Sequence, residues 1–291
     1  MKQSTGAARP QGPTQLASGA SRAQRSVINF IARPFVLNRM DCSNPSQAAF
    51  PRRIPAPAPQ LSLWRVDLGD PLHAQAIAAA DCLSTGERAH RATLRQAADR
   101  RRFTGARVAL RTVLAQRLDC APSALRFRTG SHGKPYLEDI AAPGFNVAHA
   151  GDYAWIALAE AGGEVGVDIE RIDPALGLAA MREMAAHCLT PRERAWLAAL
   201  PADAWLRAFF LLWTAKEALL KALGLGIADH LQHVSVVADG QGGAGRLAVV
   251  PESGQFAGEL AGHAAALARM RLYRLAAPEG YAAAIAWLPP A

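Results

Sequence analysis

The sequence predicts an α+β fold made of two similar halves related by a pseudo-two-fold axis, each a small antiparallel sheet packed with helices. The main observation is an internal repeat. Residues 82–89 align without gaps on residues 188–195, with Cys-Leu at the start and Glu-Arg-Ala at the end of both. Both copies contain a Ser/Thr-x-x-Glu capping box, which marks a helix start. Short segments of alternating apolar and polar residues predict strands. We expect the active site where the halves meet, because pockets favour such interfaces.

The first half begins with a strand, since residues 61–66 alternate between apolar and polar. Ser84 and Glu87 form the capping box that opens a long helical region. The Arg-Arg-Phe sequence at 101–103 leads into a second helix that ends at Leu118. The other strands of this half are predicted at 125–127, 146–149 and 153–159.

The second half begins with a strand at 165–169. Thr190 and Glu193 form its capping box, with Pro191 at the favoured first helical position. An apolar helix covers 209–223. Further strands are predicted at 233–237, 246–250, 270–275 and 281–287, the first two joined by a Gly-rich turn at 239–245.

The chain divides by composition into a tail and the two halves. The predicted boundaries are a disordered, basic and Pro-rich tail over 1–58, a first half over 59–164 and a second half over 165–291. The tail is rich in Ser, Ala, Gln, Pro and Arg, and its first acidic residue is Asp41, a composition typical of disorder. The prolines of 51–59 argue against a regular element there. A transit peptide and a start at Met40 are alternatives.

Composition also limits the class of protein. The 291 residues have a net charge of +8, which favours an acidic partner: nucleic acid, an anionic cofactor or an acidic protein. No apolar run reaches the roughly 18 residues of a transmembrane helix, so we expect no membrane span. Four widely spaced cysteines without a C-x-x-C pair favour reduced thiols in a cytoplasmic protein. Two fused halves are consistent with a monomer.

Three carboxylates are placed to converge. Asp168 and Glu170 occupy alternate positions of a β-prone stretch, so both point to one face of the strand. Glu217 lies in an otherwise apolar helix, one turn before Lys221. Three acids beside lysines indicate Mg²⁺ and a phosphate-bearing substrate. The alternatives are that Asp168 caps a turn, that Glu170 pairs with Arg171, and that Glu217 and Lys221 form an ordinary exposed ion pair.

Lysine is scarce in this chain. Among 32 basic residues, the lysines are Lys2, Lys134, Lys216 and Lys221. A lysine is a flexible point charge that can follow a phosphate group. We therefore expect the last three to serve the chemistry.

The sequences Gly-Val-Asp-Ile-Glu at 166–170 and Trp-Thr-Ala-Lys-Glu-Ala-Leu-Leu-Lys-Ala-Leu-Gly at 213–224 together resemble the two signature motifs of a known family. It is the surfactin-type, two-half class of the 4′-phosphopantetheinyl transferases, and the spacing between the motifs fits as well. The similarity covers about residues 60–290. It includes the segments 100–103, 133–135, 146–151 and 280–283.

The resemblance implies transfer of phosphopantetheine from coenzyme A to a serine of an apo acyl or peptidyl carrier protein, with release of 3′,5′-ADP. It implies Asp168, Glu170 and Glu217 as Mg²⁺ ligands. Glu217, or a metal-bound water, would deprotonate the serine. Lys221 would neutralise phosphate charge, and Lys216 would support it.

The resemblance also implies a basic coenzyme site in the first half. By position, Arg102, Lys134 and His149 match coenzyme contacts, and His90 falls where the family often has a lysine. Surface exposure is the alternative for His90, and a core position is the alternative for His149.

One departure from the family pattern concerns phosphate binding. The common Asn-x-Ser-His-Ser is here Asn146-Val-Ala148-His149-Ala150, so two hydroxyl groups are missing. Backbone N–H groups or arginines would have to replace them.

Two other functions compete with transfer. One is a Mg²⁺-dependent nucleotide or diphosphate hydrolase, although no Walker A loop is present. The other is a non-catalytic binder of coenzyme A, an acidic protein or nucleic acid. No aromatic-basic RNA-binding signature supports nucleic acid. We expect neither a nucleic-acid nor a membrane partner.

Overall fold

The computed structural model describes residues 50–138, 143–226, 230–239, 245–252 and 258–290. Helices and antiparallel strands share this part of the chain, which confirms the predicted α+β class. None of the helices found there is long and apolar enough to cross a membrane.

The elements before residue 162 are β1 (Arg52–Ile54), β2 (Leu61–Asp67), α1 (Pro71–Ala79), α2 (Thr85–Thr93), α3 (Ala97–Leu118), a 3₁₀ turn (Pro122–Ala124), β3 (Phe127–Thr129), β4 (Pro135–Leu137), β5 (Pro143–Ala150) and β6 (Tyr153–Ala161). The elements that follow are β7 (Glu164–Arg171), α4 (Leu178–Cys188), α5 (Pro191–Ala198), a 3₁₀ turn (Ala202–Ala204), α6 (Trp205–Leu223), a 3₁₀ turn (Leu231–His233), β8 (Val234–Ala238), β9 (Arg246–Pro251), α7 (Glu259–Gly262), α8 (Ala264–Arg269), β10 (Arg271–Leu275) and β11 (Tyr281–Leu288).

The strands form two main sheets and a hairpin. The first sheet has the order β1-β2-β6-β5, and the second has the order β7-β11-β10-β9-β8. All paired neighbours are antiparallel, and β3 pairs with β4 as a separate hairpin. The first sheet ends at Ala161 and the second begins at Glu164. The division into domains itself stays a prediction.

Each sheet packs a long helix on one face. Helix α3 packs its apolar side against β5 and β6, and α6 packs against β7 and β11. A third apolar cluster contains side chains of both sheets, including Trp155 of β6, Val167 of β7 and Ile285 of β11. The two sheets therefore share a core, and this shared core fixes β5 relative to β7.

The two predicted capping boxes are confirmed. The Ser84 hydroxyl accepts from the Glu87 N–H at 3.2 Å, and Glu87 accepts from the Ser84 N–H at 2.8 Å. Thr190 and Glu193 make the same pair of bonds at 3.2 and 2.9 Å. The helix that follows Ser84 is shorter than the predicted long helical region, because the chain becomes extended at Leu94.

The prediction that residues 51–59 form no regular element was wrong. Strand β1 pairs with β2, with Ile54 opposite Leu63. The prolines at 51 and 55 flank this strand, so no proline lies within it, and an edge strand tolerates such neighbours. Residues 1–49 of the predicted tail and residues 240–244 of the predicted Gly-rich turn lie outside the described residues. Helices α1 and α4 were not predicted.

Candidate active site

Alternation along β7 separates its apolar and acidic side chains. Val165, Val167 and Ile169 enter the core shared by the two sheets, so the intervening residues point to the opposite face, where α6 packs. At Gly166 a side chain would collide with the Ala218 carbonyl oxygen of α6. The glycine thus allows the close approach that brings the β7 acids beside Glu217.

The three predicted metal ligands converge. One carboxylate oxygen from each of Asp168, Glu170 and Glu217 lies within 4.8 Å of the other two. Asp168 is almost fully buried, and its Oδ2 has no hydrogen-bond partner within the described ranges. An orphaned carboxylate oxygen among three acids suits a hard divalent cation, which takes oxygen ligands. The residues present therefore fit a metal ion.

Lys221 completes this cluster. Its ammonium lies 2.6 Å from Asp168 Oδ1 and 3.0 Å from Glu217 Oε2, and its side chain is 23% exposed. The Glu217–Lys221 ion pair of the alternative interpretation is therefore present, but it is not an exposed pair, because Glu217 itself is buried. Trp213 Nε1 donates to Glu170 Oε1 at 3.3 Å. Trp213, Glu217 and Lys221 are spaced four apart, so α6 presents all three on one face.

Burial controls the ionisation of the acids. Loss of hydration raises the pKa of Asp168 to about 8, with the charges of Glu217 and Glu170 adding to the effect and Lys221 opposing it. Burial and the charge of Glu217 also raise the pKa of Glu170. Burial disfavours the charged form of Lys221, but Asp168 and Glu217 together raise its pKa above the ordinary value. A bound divalent cation would relieve the repulsion among the acids.

The acids open into a cavity of about 400 Å³. Its walls come from elements of both parts of the chain: α3, β5 and the start of β4 on one side, β7 and α6 on the other. The lining residues are Phe103, Ala106, Arg107, Pro135, Val147, Ala148, His149, Asp168, Glu170, Glu217 and Lys221. The acids belong to β7 and α6, whereas His149 and Arg107 belong to β5 and α3.

Three of the predicted coenzyme contacts lie in or near this cavity. His149 lines it, and burial followed by the charges of Arg102, Lys221 and Arg107 lowers its pKa. Arg102 lies close enough for its charge to lower the pKa of His149. Its guanidinium pairs with Asp99, one turn earlier on α3. His90 is exposed on α2, with its ring 4.9 Å from the ring of Phe103, a lining residue.

Lys134 is not among the residues that line the cavity, and its ammonium is bound by other groups of the protein. Its buried ammonium donates to Glu164 Oε2 at 2.6 Å, to the Ala222 carbonyl at 3.1 Å and to the Val165 carbonyl at 3.4 Å. Burial lowers its pKa, and Glu164 opposes this effect. Lys134 thus joins β7 to α6, the two elements that carry the acids.

Lys216 is also engaged elsewhere and is not among the residues that line the cavity, so its supporting role beside Lys221 stays a prediction. It is fully buried and pairs with Glu193 at 2.5 Å. Burial lowers the pKa of Lys216 and raises that of Glu193. The first part of the chain contains a matching pair, since Arg111 of α3 contacts the capping-box residue Glu87 at 2.8 Å. Each long helix therefore holds the capping-box glutamate of its own half.

The alanines that depart from the family pattern lie on the face of β5 opposite α3, although Ala148 also borders the cavity. Ala148 and Ala150 pack in the apolar cluster shared by the two sheets. Their neighbour Asn146 accepts a hydrogen bond from the Val167 N–H at 2.9 Å, which ties β5 to β7 next to Asp168.

Sequence reasoning did not assign a role to Phe103, Arg107 or Trp213. Helical spacing offered a signal for Arg107, because it lies one turn after Phe103 on the same face of α3. Nothing in the local sequence showed that this face borders the acids.

Comparison with known proteins matches both parts of the chain. Residues 164–286 match the family described as the 4′-phosphopantetheinyl transferase superfamily. Residues 69–161 match the family described as 4′-phosphopantetheinyl transferase, N-terminal. These two matches cover the elements that form the cavity.

Individual relatives carry the same description. A Synechocystis sp. protein provisionally named 4′-phosphopantetheinyl transferase is 38% identical over 180 residues, covering 60% of this chain and 70% of the relative. The 4′-phosphopantetheinyl transferase HetI of Nostoc sp. is 36% identical over 172 residues, covering 58% and 70%. The 4′-phosphopantetheinyl transferase Sfp of Bacillus subtilis is 31% identical over 129 residues, covering 44% and 54%. The chain therefore belongs to the 4′-phosphopantetheinyl transferase superfamily.

Proposed function

We propose that this chain transfers the 4′-phosphopantetheinyl group from coenzyme A to a serine of an apo acyl or peptidyl carrier protein, with release of 3′,5′-ADP. Membership of the family makes the chain a transferase of phosphopantetheine to carrier proteins. The observation that carries the assignment to this cavity is the cluster of three carboxylates and Lys221 within it.

Asp168, Glu170 and Glu217 would hold Mg²⁺, our choice among hard cations because it acts on phosphates through few protein carboxylates. When bound, the ion would supply charge neutralisation for the diphosphate of coenzyme A. Asp168 contributes the orphaned Oδ2. Trp213 fixes the Glu170 carboxylate through its Nε1 hydrogen bond.

The protein groups support a displacement at phosphorus. Glu217 accepts the proton of the carrier serine on a carboxylate oxygen. The serine Oγ then forms a bond to the phosphorus that carries the pantetheine arm, and the bond from this phosphorus to the bridging oxygen breaks. The electron pair stays on the bridging oxygen, which leaves with 3′,5′-ADP. The ammonium of Lys221, which faces the acids from α6, stabilises the developing charge.

The first-half residues are assigned to coenzyme binding. We propose that His149, which lines the cavity, and Arg102 and His90, which lie at its edge, contact the nucleotide part. Lys134 is proposed to act on this site mainly through β7 and α6, because its ammonium binds groups of both.

We propose that the chain acts as a monomer in the cytoplasm. Both walls of the cavity come from one chain, which supports the first statement. The described cysteines Cys82, Cys120 and Cys188 are free thiols, which supports a reducing compartment.

The direct experiment is to incubate the protein with coenzyme A, Mg²⁺ and an apo carrier protein and to measure the intact mass of the carrier. We expect a gain of one phosphopantetheinyl group per carrier and none when the carrier serine is replaced by alanine. Release of 3′,5′-ADP without carrier would instead indicate a diphosphate hydrolase. No mass gain on fatty-acid, polyketide and peptide carriers would contradict the proposal.

A further inference from the structure

A second groove lies beside α1, α2 and the first turns of α3, away from the cavity of the three acids. We call it the arginine-rimmed groove, and its lining residues fall in the segments 74–78, 80–83, 88–91 and 97–104, together with Leu68. Its volume is about 460 Å³, within the range of about 300–1,000 Å³ typical of small-molecule sites. Among the described residues, none lines both this groove and the cavity of the acids.

The deep part of the groove is apolar. Leu68 is almost fully buried, and Ile77 and Leu83 are half-buried. Gly105 has no side chain, so α3 can lie against Leu68 and Ile77, which a Cβ atom at this position would meet. An apolar surface at the bottom of a groove favours an apolar ligand group, because water leaves both surfaces on binding.

The rim of the groove is cationic. Four of its lining residues are arginines, and Asp81 is the one carboxylate among the lining residues that the structure describes. Arg88 lies 3.5 Å from Asp81, and Arg101 lies 3.2 Å from Asp152. Both contacts are exposed to solvent and therefore weak. The rim keeps a net positive charge, and a concave surface concentrates the field of such charges.

Arg91 and Arg100 are the rim arginines that have no carboxylate partner in the part of the chain described. The Arg100 guanidinium donates to the carbonyl oxygens of Leu94 and Arg95 at 2.7 and 2.8 Å, and these neutral acceptors leave its charge uncompensated. The Arg91 side chain is exposed, and its guanidinium makes no hydrogen bond or ion pair within the described ranges. An anionic group at the rim would gain charge-assisted hydrogen bonds there.

Two other occupants fit this combination poorly. The N-terminal tail enters the described structure at Phe50, whose ring lies 5.4 Å from the ring of His73 on α1. Its sequence up to Met40 has six basic residues and no acid, so like charges would meet at the rim. A nucleic-acid strand would pair with the arginines but leave the apolar deep part unfilled. The groove favours a ligand that is anionic at one end and apolar at the other.

We propose that the arginine-rimmed groove binds a single-chain amphiphile with an anionic head, either a carboxylate or a phosphate. The alkyl chain lies against Leu68, Ile77 and Leu83, and the head lies at the rim near Arg91 and Arg100. This is a binding site in addition to the transfer site. It does not rest on the proposed function, because the two sites share no lining residue in the described part of the chain.

The test is calorimetry of the full chain with dodecanoate and dodecyl phosphate, both below their micelle concentrations. We expect saturable binding of one molecule per chain, and the tighter of the two probes identifies the head group. Octanoate should bind on the order of 10- to 100-fold more weakly than dodecanoate, because it buries four fewer methylene groups. Dodecyltrimethylammonium has the same chain with a cationic head, and we expect it to bind at least tenfold more weakly.

Two variants locate the ligand, each with a matched control. Ala78→Trp fills the groove from an exposed position of α1 and should lower the affinity for dodecanoate at least tenfold. Ala79→Trp is exposed on the same helix but outside the lining, so its affinity should not change. Arg91→Gln should lower the affinity about two- to fivefold, the effect of an exposed ion pair. Arg95→Gln, exposed and outside the lining, is its control.

The remaining outcomes decide against the site. Equal affinity for dodecanoate and dodecyltrimethylammonium would show that the arginines do not select the head. Unchanged binding in Ala78→Trp that is folded by circular dichroism would show that the chain lies elsewhere. Displacement of dodecanoate by coenzyme A would place it in the cavity of the acids. Binding only to vesicles that contain phosphatidylglycerol, with no binding of either monomeric probe, would indicate a membrane surface and overturn the proposal.

Discussion

The ammonium of Lys221 lies 2.6 Å from Oδ1 of Asp168. This contact joins strand β7 to helix α6, which are separated by more than thirty residues of sequence. It also leaves Asp168 Oδ2 buried without a partner inside the described ranges. One oxygen of Asp168 is therefore held by the protein, while the other is available to the cation that we propose for Asp168, Glu170 and Glu217.

Lys134 should affect turnover through the position of α6. Replacing it with Met removes the donor to the Ala222 and Val165 carbonyls, and we expect a loss of about 1–3 kcal/mol in the free energy of unfolding. We expect kcat for transfer to fall more than the coenzyme KM rises, because the acids of β7 and α6 shift relative to each other. Lys134→Arg should restore part of kcat.

Steady-state kinetics and urea unfolding of both variants check this. A rise in KM at constant kcat would show instead that Lys134 contacts the coenzyme directly, as the sequence resemblance implies. Arg117→Gln serves as the control for a lost surface charge, because Arg117 is exposed on α3 and lies outside the cavity lining.

Lys216 should matter for stability rather than for chemistry. Lys216→Met leaves the buried carboxylate of Glu193 without its ion partner, and we expect a loss of about 3–5 kcal/mol in the free energy of unfolding. Adding Glu193→Gln to this variant should recover part of the loss, because the uncompensated charge is removed.

Chemical unfolding of the two single variants and the double variant gives the coupling. The folded fraction of each should transfer phosphopantetheine at the wild-type rate. A selective loss of turnover in folded Lys216→Met would contradict a purely structural role.

The affinity for coenzyme A should rise as the pH falls. Burial, Arg102, Lys221 and Arg107 lower the pKa of His149 in the free protein. A phosphate bound beside His149 would raise this pKa, so binding takes up a proton. Linkage then requires the affinity to rise as the pH falls through the window between the raised pKa of His149 in the complex and its lowered pKa in the free protein.

Calorimetry in this window with wild-type protein and His149→Gln measures the effect. The phosphates of the ligand titrate in both proteins, so the difference between their pH profiles isolates His149. Parallel profiles for the two proteins would show that His149 does not bind near a phosphate.

Local periodicity was enough to predict the acid cluster. Asp168 and Glu170 share a face because strands alternate, and Glu217 and Lys221 share one because helices repeat every turn. The capping boxes at Ser84 and Thr190 were readable for the same reason, since their partners lie three residues away.

Residues whose partners are distant could not be assigned in this way. Lys134 pairs with Glu164, and Lys216 pairs with Glu193. Neither spacing follows a helical or strand period, so Lys134 was predicted as a coenzyme contact and Lys216 as a support for Lys221. Strand β1 was missed because the prolines at 51 and 55 that flank it dominated the local pattern, although the strand itself contains none and pairs Ile54 with Leu63.

Arg107 was missed for a related reason. Arg107 and Arg111 lie one turn apart on α3 and both contact Glu87, at 4.0 and 2.8 Å. Only the folded arrangement shows that Arg111 is buried whereas Arg107 lines the cavity.

The most direct test of the central claim is carrier modification measured against Mg²⁺ concentration for wild-type protein and Asp168→Asn. Asparagine keeps the shape of the side chain but removes the charge that would face the proposed cation. We expect the wild-type reaction to stop in chelator and to return with Mg²⁺. Asp168→Asn should be slower by on the order of 10²- to 10³-fold, the size expected for losing a preorganised electrostatic group, with its fold unchanged by circular dichroism. Transfer that continues in chelator, or wild-type turnover in Asp168→Asn, would contradict the assignment of this cluster as the metal site of transfer.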